Sequence, residues 1–470
     1  MSTAKKNVDD CNIHVTATLE STLNYMKNLL KHYMENGLYS NALFYANKIF
    51  YLSFNRDVSV ISDNLYDLAH CFYMNKEFYR CVNVIQKYNV TYYSLKFLNL
   101  LGQALLACED YEGVITYLEK ENLQIEQIET DCIHLFQSIR HLLIGKAYEM
   151  QENKQPAIRN YIKALKYDPG NVEAFDILIN HNLLTSEQKN KLMNELVFEN
   201  NKWLYDYYLS KAYDNIYITD KSDVSISDEN GNIIDILYTN NDQDLMKMEA
   251  EKFYISRDHA NAYNKLKKIN DDDFYYLDII PMFCSSMIEL NKIGELYYLA
   301  HKLANNCSDK YVSWFAVGCY YYCVKKYDIA RKYFSKANQL NKHFPEGWIA
   351  LGNCYAAQDE SDQALSAYRT CLRLFPGCHF ANLYIGMEFV RTNNLKTALV
   401  AFQDALLTSN SDPLVYNELG VVFYKQKFYE EAEFHFLKGI ELCREEKSSV
   451  FQSLTMNLAN TYRKLKYIYK

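Results

Sequence analysis

Apolar and polar positions alternate along this 470-residue chain in a way that predicts helix after helix. From residue 245 onward a bulky residue, an aliphatic-small pair and an aromatic recur at spacings of three and four, which sets them on one face of a helix. A second helix follows, carrying a small residue and an aromatic four positions later. Trp314, Val317, Gly318, Tyr321, Ala330, Phe334, Ala337 and Lys342 reappear 34 positions on as Trp348, Leu351, Gly352, Tyr355, Ala364, Tyr368, Cys371 and Pro376. The same offset carries the small residue of the first helix through Ala250, Cys284, Gly318, Gly352, Gly386 and Gly420, so six repeats run in unbroken register. In the second helix Ala330, Ala364, Ala398 and Ala432 precede Phe334, Tyr368, Phe402 and Phe436. Each unit therefore reads as two antiparallel helices, A and B, whose small residues permit a close crossing while the aromatics fill the space beside it. A glycine within a helix costs about 1 kcal/mol relative to alanine, so packing must offset it.

Prolines obey the same frame. Pro345 and Pro413 open a helix A, Pro169 and Pro376 follow a helix B, and Pro156 lies in the first turn of another helix B. Pro281 alone falls inside a helix A.

Toward the N-terminus His141, Ile144, Gly145, Tyr148, Ala157, Tyr161, Ala164 and Pro169 make a further good unit. Weaker units, irregularly spaced, centre on Leu98, Leu101, Gly102, Leu105 and Leu118, on Leu65, Leu68, Ala69, Phe72 and Ile85, and on Leu30, Tyr33, Ala42 and Ala46. Residues 172–196 read as one more helix pair. Residues 213–244 are rich in Asp, Asn and Ser without helical periodicity, and 218–241 reads as a mobile loop. Ser225 and Ser227 there are candidate phosphorylation sites, although a plain solvated loop is the preferred reading. The expected organisation is a flexible N-terminus (1–20), degenerate repeats (21–200), an irregular segment with an acidic loop (201–244) and a regular array (245–470) whose last repeat is incomplete. Thr455, Leu458, Ala459 and Tyr462 begin a last repeat in which Lys470 is the nineteenth residue, so that repeat is incomplete and its apolar face calls for a cover or a continuation.

Composition narrows the function. Hydrophobic residues at 49% and charged residues at 23% are globular values, and 43 Tyr against 14 Gly and 6 Pro supply aromatic packing with little loop punctuation. A net charge of -8 with no long basic run disfavours nucleic acid. No stretch approaches the ~18 apolar residues of a membrane span, and the first residues lead into no apolar signal region, so a soluble intracellular protein is expected. The 13 cysteines are spread through a chain with no secretion signal and read as free thiols. Cys319, Cys323 and Cys354 are the nearest approach to a zinc site, but no histidine completes it and core thiols are preferred. His70 and Cys71 are neighbours in a helix, about 100° apart, and cannot act as base and nucleophile. No phosphate-cradling glycine loop occurs. Because the repeats use nearly the whole chain, neither catalysis, nor a cofactor, nor a metal is expected.

The 34-residue pattern resembles the tetratricopeptide repeat, which implies an all-α, right-handed superhelical solenoid with a concave groove lined by A helices. Residues 38–53, 157–185, 289–303, 312–322, 330–337, 347–370, 377–394 (GCHFANLYIGMEFVRTNN) and 412–424 (DPLVYNELGVVFY) further resemble one family, the tetratricopeptide subunit of the anaphase-promoting complex called cell division cycle protein sixteen. The likeness covers about residues 25–200 and 245–470. It implies a non-catalytic scaffold of a ubiquitin ligase that marks mitotic cyclins and securin for destruction. It also implies a homodimer through the N-terminal repeats, a small stabilising subunit in the C-terminal groove, and contacts with sister tetratricopeptide subunits. Positions 2, 5, 9, 12 and 13 of helix A are expected to face the groove, and Phe315, Tyr322, Asn353, Met387, Arg391, Asn417, Val421, Tyr424 and Asn460 are the candidate partner-binding residues. Gly145, Gly318, Gly352, Gly386, Gly420, Ala330, Ala364, Ala398 and Ala432 are the structural positions. A co-chaperone clamp would need cations at positions 5 and 9, where Phe315, Cys319, Ile349, Asn353, Leu383, Met387, Asn417 and Val421 stand instead. A glycosyltransferase would need a catalytic domain. Another tetratricopeptide subunit of the same complex is the nearest alternative.

Overall fold

The computed structural model describes residues 21–53, 58–88, 95–119, 133–181, 183–198, 202–212, 226–227, 233–234, 243–443 and 448–465. They form antiparallel helix pairs in two compact units that divide between Ala174 and Phe175. That division lies ahead of the boundary at residue 200 expected from repeat regularity. Expected features within 1–20 lie outside the described residues.

In the first unit α1 (21–35) pairs with α2 (Tyr39–Ser53), and α3 (Val58–Met74) with α4 (Phe78–Lys87). They are followed by α5 (Leu95–Ala107) with α6 (Tyr111–Leu118), and α7 (Ile133–Met150) with α8 (Lys154–Tyr167). Leu68, Phe72, Leu98, Leu101, Leu105 and Leu118 form its shared core. The apolar periodicity had placed each of them on one helix face. In α7 a Cβ on Gly145 would lie 2.5 Å from Cε1 of Tyr161, so glycine is what lets α7 and α8 cross. The next helix, α9 (Val172–Asn180), straddles the division.

The second unit contains α10 (Ser186–Glu195) and α11 (Lys202–Ala212), the former closed by a capping box of Thr185 and Gln188. The helix pair expected over 172–196 is thus present, whereas α11 corrects the reading of 201–244 as wholly irregular: Leu204 and Tyr208 are buried, and Tyr208 stacks on Phe175 at 3.8 Å. Of the 218–241 loop, only an antiparallel two-residue pair, Ile226–Ser227 with Ile233–Ile234, is described; Ser225 lies outside the described residues.

Six regular pairs follow. Helix A is α12 (Gln243–Ile255), α14 (Ile280–Glu289), α16 (Tyr311–Cys323), α18 (Pro345–Ala357), α20 (His379–Arg391) and α22 (Pro413–Lys425). Between and after them lie the B helices, each of 14 residues: α13 (His259–Asp272), α15 (Ile293–Asn306), α17 (Tyr327–Leu340), α19 (Ser361–Leu374), α21 (Leu395–Thr408) and α23 (Tyr429–Leu442). Every A helix ends in a left-handed residue that is not glycine, namely Arg257, Asn291, Lys325, Asp359, Asn393 and Lys427, with φ between 56° and 69°. The next backbone N–H bonds back five residues, as Asp258 N to Phe253 O at 2.8 Å, which closes the helix and reverses the chain. Gly318, Gly352, Gly386 and Gly420 each face Phe334, Tyr368, Phe402 and Phe436 as the register requires, with Ala330, Ala364, Ala398 and Ala432 fully buried.

Two details depart from expectation. Pro281 is not inside an unbroken helix A: a 3-10 turn, Leu277–Ile279, precedes α14, and Pro281 occupies its first turn, where no N–H is needed. In α24 (Ser449–Leu465), Leu454 and Thr461 are buried against α23, while Ala459 is exposed rather than placed at a crossing.

Candidate partner-binding groove

In the regular array each helix A touches the helix A of the next repeat and both flanking B helices. Elements packed closest on the inside of a curve line its concave face, so the A helices present the groove. Its course is fixed by a contact between distant repeats. Arg257, at the A–B turn of the first pair, donates from Nε to Oδ1 of Asp412 at 3.0 Å and from Nη2 to Oδ2 at 2.6 Å. Asp412 is 0% exposed and also caps α22 by accepting from Leu414 N. His379 Nε2 stands 3.5 Å from the same carboxylate, and Phe380 lies against the guanidinium at 5.4 Å. The first repeat is thereby tied to the fifth and sixth. Burial alone would raise the Asp412 carboxyl, but the charge of Arg257 and the His379 ring hold it well below the usual carboxylate range. Reciprocally, burial would lower the Arg257 guanidinium and Asp412 raises it, so both stay ionised.

His259 packs beside this pair, 5.4 Å from Tyr254, and its ring is pushed down to about 4 by burial and then by Arg257. Between that value and the ordinary ~6.5 an unfolded chain binds a proton that the folded chain does not, so stability falls as pH drops through this window, by on the order of 3 kcal/mol. His259→Gln should flatten the slope of urea midpoint against pH between pH 7 and 4; an unchanged slope would remove His259 as its source. Asp412 acts in a separate window, with stability present above an unfolded pKa of ~3.9 and lost as pH falls further.

A diagonal of side chains crosses the groove: Tyr322 on α16, Asn353 on α18 and Tyr384 on α20, all half-buried. Asn353 Oδ1 accepts from Tyr368 OH at 2.6 Å, and Tyr384 stacks on Tyr368 at 5.6 Å. Glu346, at an exposed position, and the half-buried Glu418 stand at either side, the surrounding protein raising both carboxyls. Lys247 and Glu251 of α12 are the charges that reach Glu346 from the opposite wall.

The nine expected groove residues separate into two groups. Phe315 is 2% exposed and sits between Phe334 and Phe344, at 5.5 and 5.0 Å, and Asn417 is 5% exposed with its Oδ1 taken by Asn457. Both occupy position 5 of helix A, as does fully buried Leu383. That position faces the following repeat and not the groove, which corrects the geometric assignment for Phe315 and Asn417. Arg391 is likewise committed within the fold, to Ala356 O, Asp359, Ser361 and Glu388. Met387, Val421 and Tyr424 are half-buried against their own repeats, and Asn460 is half-buried on α24. Glu346, at position 2 of helix A, and Tyr254, at position 12, fall on positions expected to face the groove, whereas Tyr384 and Glu418 were not anticipated, because position 6 lies outside them.

Every cysteine among the described residues is a free thiol; burial pushes Cys354 up to about 12 and Cys323 up to about 11. The described residues contain no group of three or more His, Cys, Asp or Glu arranged to hold a metal ion, and no helix long and apolar enough to cross a membrane.

This is the architecture of a tetratricopeptide solenoid protein, and residues 345–378 match the family described as tetratricopeptide repeat. Residues 35–121 match the family described as anaphase-promoting complex, cyclosome, subunit 3. Over 469 residues the chain is 32% identical to anaphase-promoting complex subunit 6 of Arabidopsis thaliana, covering 95% of this chain and 85% of that protein. It is 30% identical over 476 residues to the cell division cycle protein 16 homolog of Homo sapiens, covering 94% and 74%. A solved structure described as the APC/C hetero-tetramer Cut9-Hcn1 contains a chain that superposes with a TM-score of 0.77 at 26% identity, covering 96% of this chain and 86% of that one. The protein belongs to the family of anaphase-promoting complex subunit 6, the cell division cycle protein 16 homologs.

Proposed function

We propose that the protein is a non-catalytic scaffold subunit of an anaphase-promoting complex, which supports cell-cycle-dependent ubiquitination and mitotic progression by holding other subunits. The observation that carries this reading is the match, over almost the whole chain, to a chain crystallised within a hetero-tetramer of that complex. By the same likeness the groove of the second unit holds a small stabilising subunit, contacted by the half-buried Tyr322, Asn353, Met387, Val421, Tyr424 and Asn460 together with Tyr384 and Glu346. The first unit forms a homodimer. Tyr25, Phe44, Tyr51 and Tyr79 on α1, α2 and α4 support that assignment, being 57–77% exposed and so offering aromatic surface to a second copy. Sister tetratricopeptide subunits complete the contacts, in nucleus and cytoplasm.

Affinity purification of the tagged chain from dividing cells, read by mass spectrometry, tests the reading. Cullin, RING and sister repeat subunits should co-purify, and light scattering of the pure chain should give about twice the monomer mass. Heat-shock proteins alone with a monomeric mass would defeat it. Tyr322→Ala with Glu346→Lys should weaken small-subunit binding at least about tenfold while leaving the dimeric mass intact; an unaltered affinity would remove the groove assignment.

A further inference from the structure

Antiparallel helix pairs give a solenoid two rims, one made of A–B turns and the other of the connections that lead into each helix A. In the second unit one rim meets the other. Tyr254 and Arg257 stand at the A–B turn of the first pair, whereas Glu346, Phe380 and Asp412 stand at the starts of α18, α20 and α22, in the fourth, fifth and sixth pairs. Contacts join them in order along α12. Lys247 brings its charge to Glu346, and Tyr254 meets Phe380 edge to face at 6.2 Å. Arg257, 7% exposed, makes its two bonds to Asp412 and faces the Phe380 ring. Lys247 and Tyr254 are seven positions apart, on one stripe of α12, and Arg257 follows at its end.

Between the two sides of this seam run α14, α16, α18 and α20, whose faces line the groove. The seam therefore closes the groove sideways, and a segment lying inside leaves by an end or after the seam parts. Its chemistry differs from that of the repeat interfaces. Consecutive pairs share apolar cores, as Leu383, Phe402, Val415 and Leu419 do between the fifth and sixth. The seam rests instead on one bidentate ion pair and one aromatic contact, and water solvates both ions when it opens. Such a contact can part locally while the cores on either side stay folded.

We propose that this seam is a latch over the groove, which parts for a partner segment to enter or leave and so sets how fast the partner exchanges. The latch rests on the reading that the groove holds a small subunit.

Two measurements separate the opening from that reading. Hydrogen exchange of the full-length protein, read by mass spectrometry, follows the seam without a partner. Arg257→Gln should speed exchange at residues 253–258 and 409–415 at least about tenfold and leave α16 and α18 unchanged. Faster exchange throughout the second unit would make the seam a strut that opens only with unfolding, and no change would leave it without a closing role; either overturns the latch. The small subunit recovered with the tagged wild-type chain, labelled with a fluorophore, is the second probe. Association and dissociation should both quicken at least about tenfold in Arg257→Gln, and less in Arg257→Lys, which keeps the charge without the paired bonds, while affinity shifts less than about threefold. Phe334→Leu, a core change in the third pair, controls for lost stability and should keep wild-type rates. Faster dissociation with unchanged association would make Arg257 a partner contact and overturn the latch, as would equal rates in wild type and both Arg257 variants. Recovery of no small subunit would defeat the groove reading, and the latch with it, even where hydrogen exchange shows the seam opening.

Discussion

Arg257→Ala should destabilise the second unit by about 3–5 kcal/mol, the cost of leaving a buried carboxylate unpaired. Asp412 is completely buried, and in the variant the His379 ring, at 3.5 Å, is the polar group still facing it among the described contacts. Protonation of Asp412 is the available relief, so the loss should be largest at neutral pH and shrink as pH approaches the carboxylate range. Urea denaturation monitored by circular dichroism measures it. Arg257→Met with Asp412→Leu replaces both charges by apolar groups and should recover most of the loss. If the double variant is as unstable as Arg257→Ala, the contact acts through shape and not through charge. If neither variant changes the midpoint, the link between first, fifth and sixth repeats carries no stability.

The same contact shows where sequence reasoning stops. The register of the array was legible because one packing rule repeats at 34-residue intervals, and Gly318, Gly352, Gly386 and Gly420 each meet a ring of their own repeat. Gly352 and Tyr368 are only 16 positions apart, so local spacing encodes their meeting. Arg257 and Asp412 are separated by 155 residues. Their pairing depends on the angle accumulated over five repeat interfaces, to which no single spacing corresponds. Position 5 of helix A was misassigned for a related reason: whether it faces groove or neighbour depends on how far one repeat turns relative to the next. Phe344 reaching back onto Phe315 reveals that turn only in three dimensions. Pro281 was legible as an anomaly, and its resolution by a 3-10 turn needed the backbone.

Gly352→Leu should lower stability by several kcal/mol, and the geometry of a single added carbon explains why. A Cβ at Gly352 would stand 2.3 Å from Cε1 and 2.6 Å from Cδ1 of Tyr368, distances that no pair of carbons tolerates. Tyr368 cannot retreat freely, since it is 1% exposed, its hydroxyl donates to Asn353, and Tyr384 stacks on it. Overpacking of this kind costs typically about 1–3 kcal/mol, and the two γ-branched methyls of leucine together with the lost Tyr368 hydrogen bond add to it. Intrinsic helix propensity pulls the opposite way by about 1 kcal/mol, which gives an internal control. Gly294 lies at the start of α15 with nothing within 4 Å of its would-be Cβ, so Gly294→Ala should raise stability by about 0.4–1 kcal/mol. Opposite signs from the two glycines in thermal melts would show that the repeated register of small residues is a packing requirement, whereas a stabilised Gly352→Leu would break the assignment of helix A against helix B in the fourth pair. Because Asn353 and Tyr384 form the middle of the groove diagonal, the same substitution should also displace the surface proposed for the small subunit, coupling the crossing of two helices to what the groove can hold.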